Sequence, residues 1–417
     1  MLKQYFMIDI RKKSYYIYRG ARCLFKLLTR NSCKPIRNIT YYPCVRDKKL
    51  LANVANRAAW YFPTSAFSGV KVKIPVDVDL ESLNLHSLIP PGAQQNYLTC
   101  CNNIELIHHE EAGLSKADAI LLWDKNCLLK PCIWPYLGKT AIVDPLFYAS
   151  VECGTYQGFF NETIKQGQQE RFIELSKRNY SELLKQVSSY DKGYVFGTGP
   201  SLDRAFEFNF GNGFRVVCNS IVKNKELLNH IKPHLLVFAD PVFHFSPCMY
   251  SAEFRRLMRE AVDEYQCYVM VPDISVPLLV AHFPDLKGKI IGMPRRGKKL
   301  NFPGENDFFV PVTRNILTML MLPVASSVAR EIYIIGADGR KPDENYFWKH
   351  SFSSQFGNLM QTAFDTHPSF FRDRVYKDYY KEHCKVLEGL INYGESMGIT
   401  YHTLTPSYIK VLAQRQL

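Results

Sequence analysis

The residues whose types and spacing suit chemistry begin with Gly197-Thr198-Gly199-Pro200-Ser201-Leu202. They follow a short apolar run, Tyr194 to Phe196, that has the length of a strand. Glycines at a strand end let the backbone turn sharply and approach a ligand closely. Pro200 suits the first position of a helix, and Ser201 adds a hydroxyl beside it. The unpaired N–H groups at such a helix start bind phosphate or a nucleotide. The third glycine of a dinucleotide fingerprint and the Lys-Ser/Thr of a P-loop are both missing. Taken alone, this hexapeptide reads equally well as a plain turn. Its weight comes from three further apolar runs that end in the same manner. Phe214 to Cys218 ends at Asn219-Ser220. Leu235 to Ala239 ends at Asp240-Pro241, with His244 close behind. Glu331 to Ile335 ends at Gly336-Ala337-Asp338-Gly339-Arg340. In open α/β sheets, ligands bind outside the carboxyl ends of the strands. The four ends together predict one pocket for a nucleotide-linked substrate.

The elements that must position these residues are strands alternating with helical stretches, the pattern of a mostly parallel sheet. The fold class expected is α/β, with a Rossmann-like C-terminal domain over residues 191–417. A smaller α/β domain is expected over residues 50–160, with strands at Val70 to Val76, Ile104 to His108, Ala119 to Trp123 and Thr140 to Val143. A polar helical stretch, residues 161–190, reads as the connection between them. Residues 1–49 read as a basic arm. Within it, Arg11 to Asn31 has Ile17, Ala21, Leu24, Phe25 and Leu28 at helical spacing. Arg11, Lys12, Lys13, Arg19, Arg22, Lys26 and Arg30 surround that stripe. Such a helix suits either an anionic membrane surface or packing on the protein itself.

Charge and composition narrow the classes. Residues 1–50 hold 13 Lys and Arg against 2 Asp and Glu, so most of the chain's net +13 lies there. The remainder is close to neutral, which argues against a nucleic-acid-binding body. No apolar run reaches the roughly 20 residues that span a bilayer, and no apolar stretch with a cleavage site follows the basic N-terminus. A cytoplasmic location is expected. The 12 cysteines form no CxxC pair and no framework, which suits reduced thiols and gives no zinc site. Asp77-Val78-Asp79 matches a short metal-binding motif of some glycosyltransferases, but reads better as a solvated loop. Arg295, Arg296, Lys298 and Lys299 around Gly297 read as a basic surface loop.

The order of motifs resembles that of one known group. Gly-x-Gly-Pro-Ser-Leu after a strand, then Cys-Asn, then Asp-Pro, then Ile-Tyr-Ile-Ile-Gly-Ala-Asp looks like the small bacterial sialyltransferase family. It also resembles the related domain of the flagellin glycosyltransferases called motility accessory factors, a wider group that includes a pterin diphosphokinase. The resemblance covers residues 190–410. It implies that Gly197, Thr198, Gly199, Pro200 and Ser201 hold the nucleotide and that Asn219 meets its phosphate or ribose. Gly336, Asp338 and Asp240 complete that pocket. Where the family has two tyrosines holding the leaving phosphate, this chain has Arg340 and Tyr346, and a guanidinium does that work with more charge. The family's histidine base corresponds to His367, with His350 as the alternative. Its Thr-Ser-Gly segment for the sugar's carboxylate corresponds to Thr313, Arg314 and Asn315, where Arg314 offers a different partner. Thr405-Pro406-Ser407 resembles a segment near the nucleotide.

The resemblance therefore implies a glycosyltransferase using a CMP-activated acidic sugar, of sialic or Kdo type. The acceptor implied is a surface glycan, or a lipid-linked one, on the cytoplasmic face of the inner membrane, with contact to anionic lipid through residues 11–31. No metal and no cofactor beyond the donor is expected. Two alternatives stand beside it: an ATP-dependent diphosphokinase, which needs clustered acidic ligands for magnesium, and a non-catalytic nucleotide-binding membrane module.

Overall fold

The computed structural model describes residues 2–28, 36–77, 84–88, 102–149, 151–164, 166–340, 351–373 and 376–417. The chain divides into two compact units. Unit 1 holds residues 1–165, 241–252 and 359–374, and unit 2 holds residues 166–240, 253–358 and 375–417.

Unit 1 is built on a five-stranded parallel sheet. Its strands are β1 (Asn38–Tyr42), β2 (Lys71–Val76), β3 (Ile104–His108), β4 (Ala119–Leu122) and β5 (Thr140–Ile142), in the order β3-β2-β1-β4-β5. Every residue of β4 is buried, as a parallel strand covered on both faces requires. Three helices are α1 (Leu2–Leu28), α2 (Lys48–Tyr61) and α3 (Val151–Thr163). Asp47 caps α2 by accepting from the Leu50 N–H at 2.8 Å. Tyr61 of α2 stacks on Tyr156 of α3 with ring centroids 4.2 Å apart.

The basic arm is part of this unit. β1 lies inside it, and α1 docks through Tyr18, whose hydroxyl donates to the Thr140 carbonyl at 2.8 Å. Arg11 pairs with Asp373 at 2.7 Å and Arg22 with Glu162 at 3.1 Å. The expected apolar stripe is split: Ile17 is 73% and Leu24 55% exposed, while Ala21 and Phe25 are half-buried. The packed face is one of tyrosine and arginine, whose long stems cover apolar surface while their polar tips find partners. The returning segment 241–252 is fastened here as well. The Trp60 indole donates to Phe245 O at 2.6 Å, and the Asn56 amide donates to Pro247 O at 3.0 Å.

Unit 2 carries a seven-stranded parallel sheet of β6 (Lys192–Phe196), β7 (Gly213–Cys218), β8 (Leu235–Val237), β9 (Tyr268–Pro272), β10 (Ile290–Met293), β11 (Glu331–Ile335) and β12 (Thr400–Thr403). Their order is β10-β9-β8-β7-β6-β11-β12. Strand order thus runs outward in both directions from β6, so the switch point lies between β6 and β11. The polar helix α4 (Gln166–Val187) belongs to this unit and is not a free connection. Its Ser176 hydroxyl accepts from the Gly292 N–H at 2.9 Å, and Asn179 donates to Ile290 O at 2.7 Å. A π-type turn, Leu317–Met321, leads into α5 (Leu322–Val328), and α6 (Tyr376–Ser396) precedes β12. Among the described residues no helix is long and apolar enough to cross a membrane.

Candidate nucleotide site

The loops after β6 and β11 meet at the switch point, where open α/β sheets bind ligands. They lie backbone to backbone. The Gly199 N–H donates to Gly336 O at 2.8 Å. A Cβ on Gly197 would stand 2.5 Å from Gly336 O, and one on Gly199 would stand 2.1 Å from an Asp338 carboxylate oxygen. Gly336 holds φ +68°, in the left-handed region that glycine adopts freely. These glycines are fixed by close packing between two loops.

Asp338 bolts the two loops together. One carboxylate oxygen accepts from the Ser201 N–H at 3.0 Å, and the other accepts from the Ser201 hydroxyl at 2.8 Å. The Ser201 and Thr405 hydroxyls share a further bond at 2.9 Å, and Thr405 accepts from the Gly336 N–H at 3.2 Å. Ser407 donates to Ala337 O at 2.8 Å. The segment after β12 thus joins the same cluster. Burial raises the Asp338 pKa, and its bonds to Ser201 oppose that rise. One expectation changes in consequence. The Ser201 N–H and hydroxyl are held by an internal carboxylate, so the amide expected to receive a phosphate is already paired.

Thr198 is half-buried, with its carbonyl accepting from the Ser351 N–H at 2.9 Å. The Ser351 hydroxyl donates to Asp203 at 2.6 Å. The chain that leaves the β11 loop is thereby tied back to the Gly197–Ser201 turn. Pro200 is exposed beside it. On the neighbouring strand, Asn219 ends β7 half-buried with φ +49°. Asparagine tolerates this conformation better than most residues. Asp240 lies three residues past the end of β8, a strand two places from β6, or roughly 10 Å along the sheet.

Arg340 lies with its guanidinium 4.7 Å from the centroid of the Tyr380 ring on α6, and its N–H donates to the Tyr380 hydroxyl at 3.2 Å. Burial pushes the Tyr380 hydroxyl up to about 12, so it remains protonated. The adjacent Tyr379 donates to Arg314 O. One turn of α6 therefore receives both Arg340 and Arg314, which are 26 residues apart in sequence. The Arg314 side chain is exposed and 3.4 Å from Glu382. Thr313 and Asn315 are buried, and Asn315 caps the following helix by accepting from the Leu317 N–H at 2.9 Å. That amide is committed to the fold, which leaves Arg314 as the exposed group of the three.

His367 is placed elsewhere. It belongs to unit 1, is 0% exposed, and its Nδ1 lies 2.5 Å from Glu152 and 3.5 Å from the Cys153 sulfur. The buried Arg57 guanidinium acts on the same carboxylate. The histidine expected as the base therefore sits, with no exposed surface, in a buried cluster with Glu152 and Arg57. Those three ligand types form a metal-like group. A guanidinium beside them disfavours a cation there. Tyr346 and His350 lie outside the described residues, as does most of Asp77-Val78-Asp79. Asp77 itself pairs with Arg46 at 3.4 Å. Ser351, Thr405 and Tyr380 are the site residues to which the sequence reading gave little or no role.

Two solved structures resemble part of this chain. One is the sialyltransferase CstII from Campylobacter jejuni in complex with a substrate analogue, cytidine-5'-monophosphate, at 16% identity and a TM-score of 0.29. It covers 52% of this chain and 80% of its own. The other is a point variant of sialyltransferase Cst-II in complex with CMP, at 17% identity and a TM-score of 0.30, covering 51% of this chain and 81% of its own. No protein-family profile matches the chain, and no curated protein sequence matches it.

Proposed function

We propose that this chain is a glycosyltransferase that moves a sugar, of sialic or Kdo type, from a CMP donor onto a bacterial surface glycan. The observation that carries the reading is the convergence at one switch point of the Gly197–Ser201 turn, the Gly336–Arg340 loop and Asn219. In the proposed step the bond from the anomeric carbon to the CMP phosphate breaks, and the phosphate leaves with the electron pair. The sugar passes through a cationic state. Arg340 offsets the charge that develops on the phosphate, and Tyr346 is its proposed partner. Arg314 is the proposed contact for the sugar's carboxylate. The acceptor hydroxyl attacks and gives its proton to a histidine.

Of the two candidate bases we assign His350. It directly precedes Ser351, whose N–H is bound to Thr198 of the nucleotide turn. His367 has no exposed surface and is bonded to Glu152 inside unit 1. Asp338 is unsuited to a magnesium site, because both its oxygens are bonded to Ser201, and this disfavours the diphosphokinase reading. Peripheral contact with anionic lipid is supported by α1, where Ile17 and Leu24 stand exposed among Lys12, Lys13 and Arg19.

The test is release of CMP from CMP-sialic acid and CMP-Kdo, in EDTA, with a glycan acceptor present. His350→Ala is expected to lower turnover at least 100-fold while keeping CMP affinity. His367→Ala is expected to lower stability by about 3–5 kcal/mol, because it leaves Glu152 and Arg57 buried without it. Turnover unaffected by His350→Ala rules out this base.

A further inference from the structure

Unit 1 has a switch point of its own. Its order β3-β2-β1-β4-β5 reverses between β1 and β4, and a cavity of about 440 Å³ opens at that carboxyl edge. The sequence explains why it opens there. β1 and β2 pair only from Asn38 to Thr40 against Lys71 to Lys73. Beyond that β1 keeps only its pairing with β4, through Tyr42, then leaves the sheet at Pro43 and Cys44 and returns at Val45, whose N–H donates to Pro75 O at 2.8 Å. Pro75 has no N–H to offer a neighbour, so the strands part at its level at no hydrogen-bond cost.

The lining is not that of a phosphate site. The loop after β1, Pro43-Cys44-Val45-Arg46-Asp47, contains no glycine to bring backbone amides to a ligand. The N-terminus of α2 is already occupied by the Asp47 carboxylate, a negative charge that opposes a phosphate. What lines the cavity is two half-buried aromatic rings, Tyr42 and Trp123, with Arg46, His109 and Lys130 at the rim. The Trp123 indole is fixed by donating to Pro43 O at 2.6 Å, and Lys130 lies 5.7 Å from the centroid of the Tyr42 ring. Arg46 and His109 both approach Asp77, at 3.4 and 3.8 Å, so the rim mixes donors and acceptors and is not uniformly cationic. Rigid aromatic faces with charged hydrogen-bonding groups around them match a ring that is apolar on its face and hydroxylated at its edge.

We infer that this cavity binds a saccharide, the acceptor class of the proposed transfer, through Trp123 and Tyr42 with Arg46 and Lys130 at its edge. The inference rests on the transferase reading for the word acceptor, but saccharide binding itself stands on the cavity.

The experiment uses the full chain on an array of galactose-, glucose-, N-acetylhexosamine- and heptose-terminated oligosaccharides. The expected result is retention on at least one class, reduced 10-fold or more in Trp123→Ala and in the surface double variant Arg46→Ala with Lys130→Ala. Gly197→Ala should keep the glycan signal, and the cavity variants should keep any thermal shift with CMP. No retained glycan, or retention untouched by the double variant, overturns the inference. So does displacement of the glycan by CMP in Gly197→Ala. In the unsubstituted chain, absence of glycan retention with the CMP shift present removes this inference alone, whereas absence of the CMP shift with glycan binding present removes the donor reading.

Discussion

At the scale of single residues, the glycines after β6 were legible as a turn, but the reason for them was not. The sequence shows Gly197 and Gly199 beside a proline; only the fold shows Gly336 and Asp338 in the space a side chain would fill. Gly199→Ala is therefore expected to cost about 1–3 kcal/mol by overpacking and to abolish CMP binding, read by thermal melting with and without CMP. Asp338 was read as a ligand contact because carboxylates at strand ends commonly are. Its burial and its bonds to Ser201 could not be seen in the chain. They give a signed prediction. A buried acid whose pKa is raised on folding is stabilised in its protonated form, so its contribution falls as pH rises from the ordinary carboxylate range through the raised value. Asp338→Asn cannot titrate. The melting temperature of Asp338→Asn relative to wild type should accordingly rise with pH across that window and level off above it, and a difference flat with pH would remove the claim. His367 shows the limit of the same kind of reading: Asp365-Thr366-His367-Pro368 says nothing of a partner such as Glu152, 215 residues away.

At the scale of elements, β4 to β8 and β11 were legible as short, largely apolar runs, as parallel strands buried on both faces are, and β2 and β3 as short runs that mix apolar with charged residues. β1, Asn38–Tyr42, was hidden inside a segment defined by its charge, and β12, Thr400–Thr403, carries too many polar residues to stand out. For α1 the periodicity gave a helix but not the side it turns to the body. The packed side is that of Arg11, Tyr18 and Arg22. That leaves Ile17 and Leu24, seven residues apart and so on one face, in contact with solvent among lysines and arginine. Helices of this composition lie in the interface of anionic bilayers. Ile17→Lys with Leu24→Lys should reduce flotation with vesicles of phosphatidylglycerol and phosphatidylethanolamine at least 5-fold while leaving the melting temperature within about 2 °C, since surface changes of this kind are usually within ±0.5 kcal/mol. Flotation equal to wild type would assign that face no membrane role.

At the scale of the whole molecule, strand–helix alternation disclosed two α/β regions, but their composition in chain segments was beyond it. Unit 1 is completed by residues 241–252 and 359–374, and these are held by long-range bonds such as Trp60 to Phe245 that local pattern does not encode. Each unit has a parallel sheet with its own switch point, and the two carboxyl edges differ in chemistry. Unit 2 has glycine turns with Arg340 at their side; unit 1 has aromatic rings and a capped helix start. A donor site and a saccharide site on separate sheets would divide the substrates of a transferase between two scaffolds of the same class. The central claim is the donor site, and the most direct test is the melting temperature of the full chain with CMP, UDP, GDP and ATP, each with and without magnesium. A ligand that binds only the native state raises that temperature by linkage. The account predicts a shift with CMP that does not need magnesium and is lost in Arg340→Ala. A shift confined to ATP with magnesium, or none with any nucleotide, would contradict it.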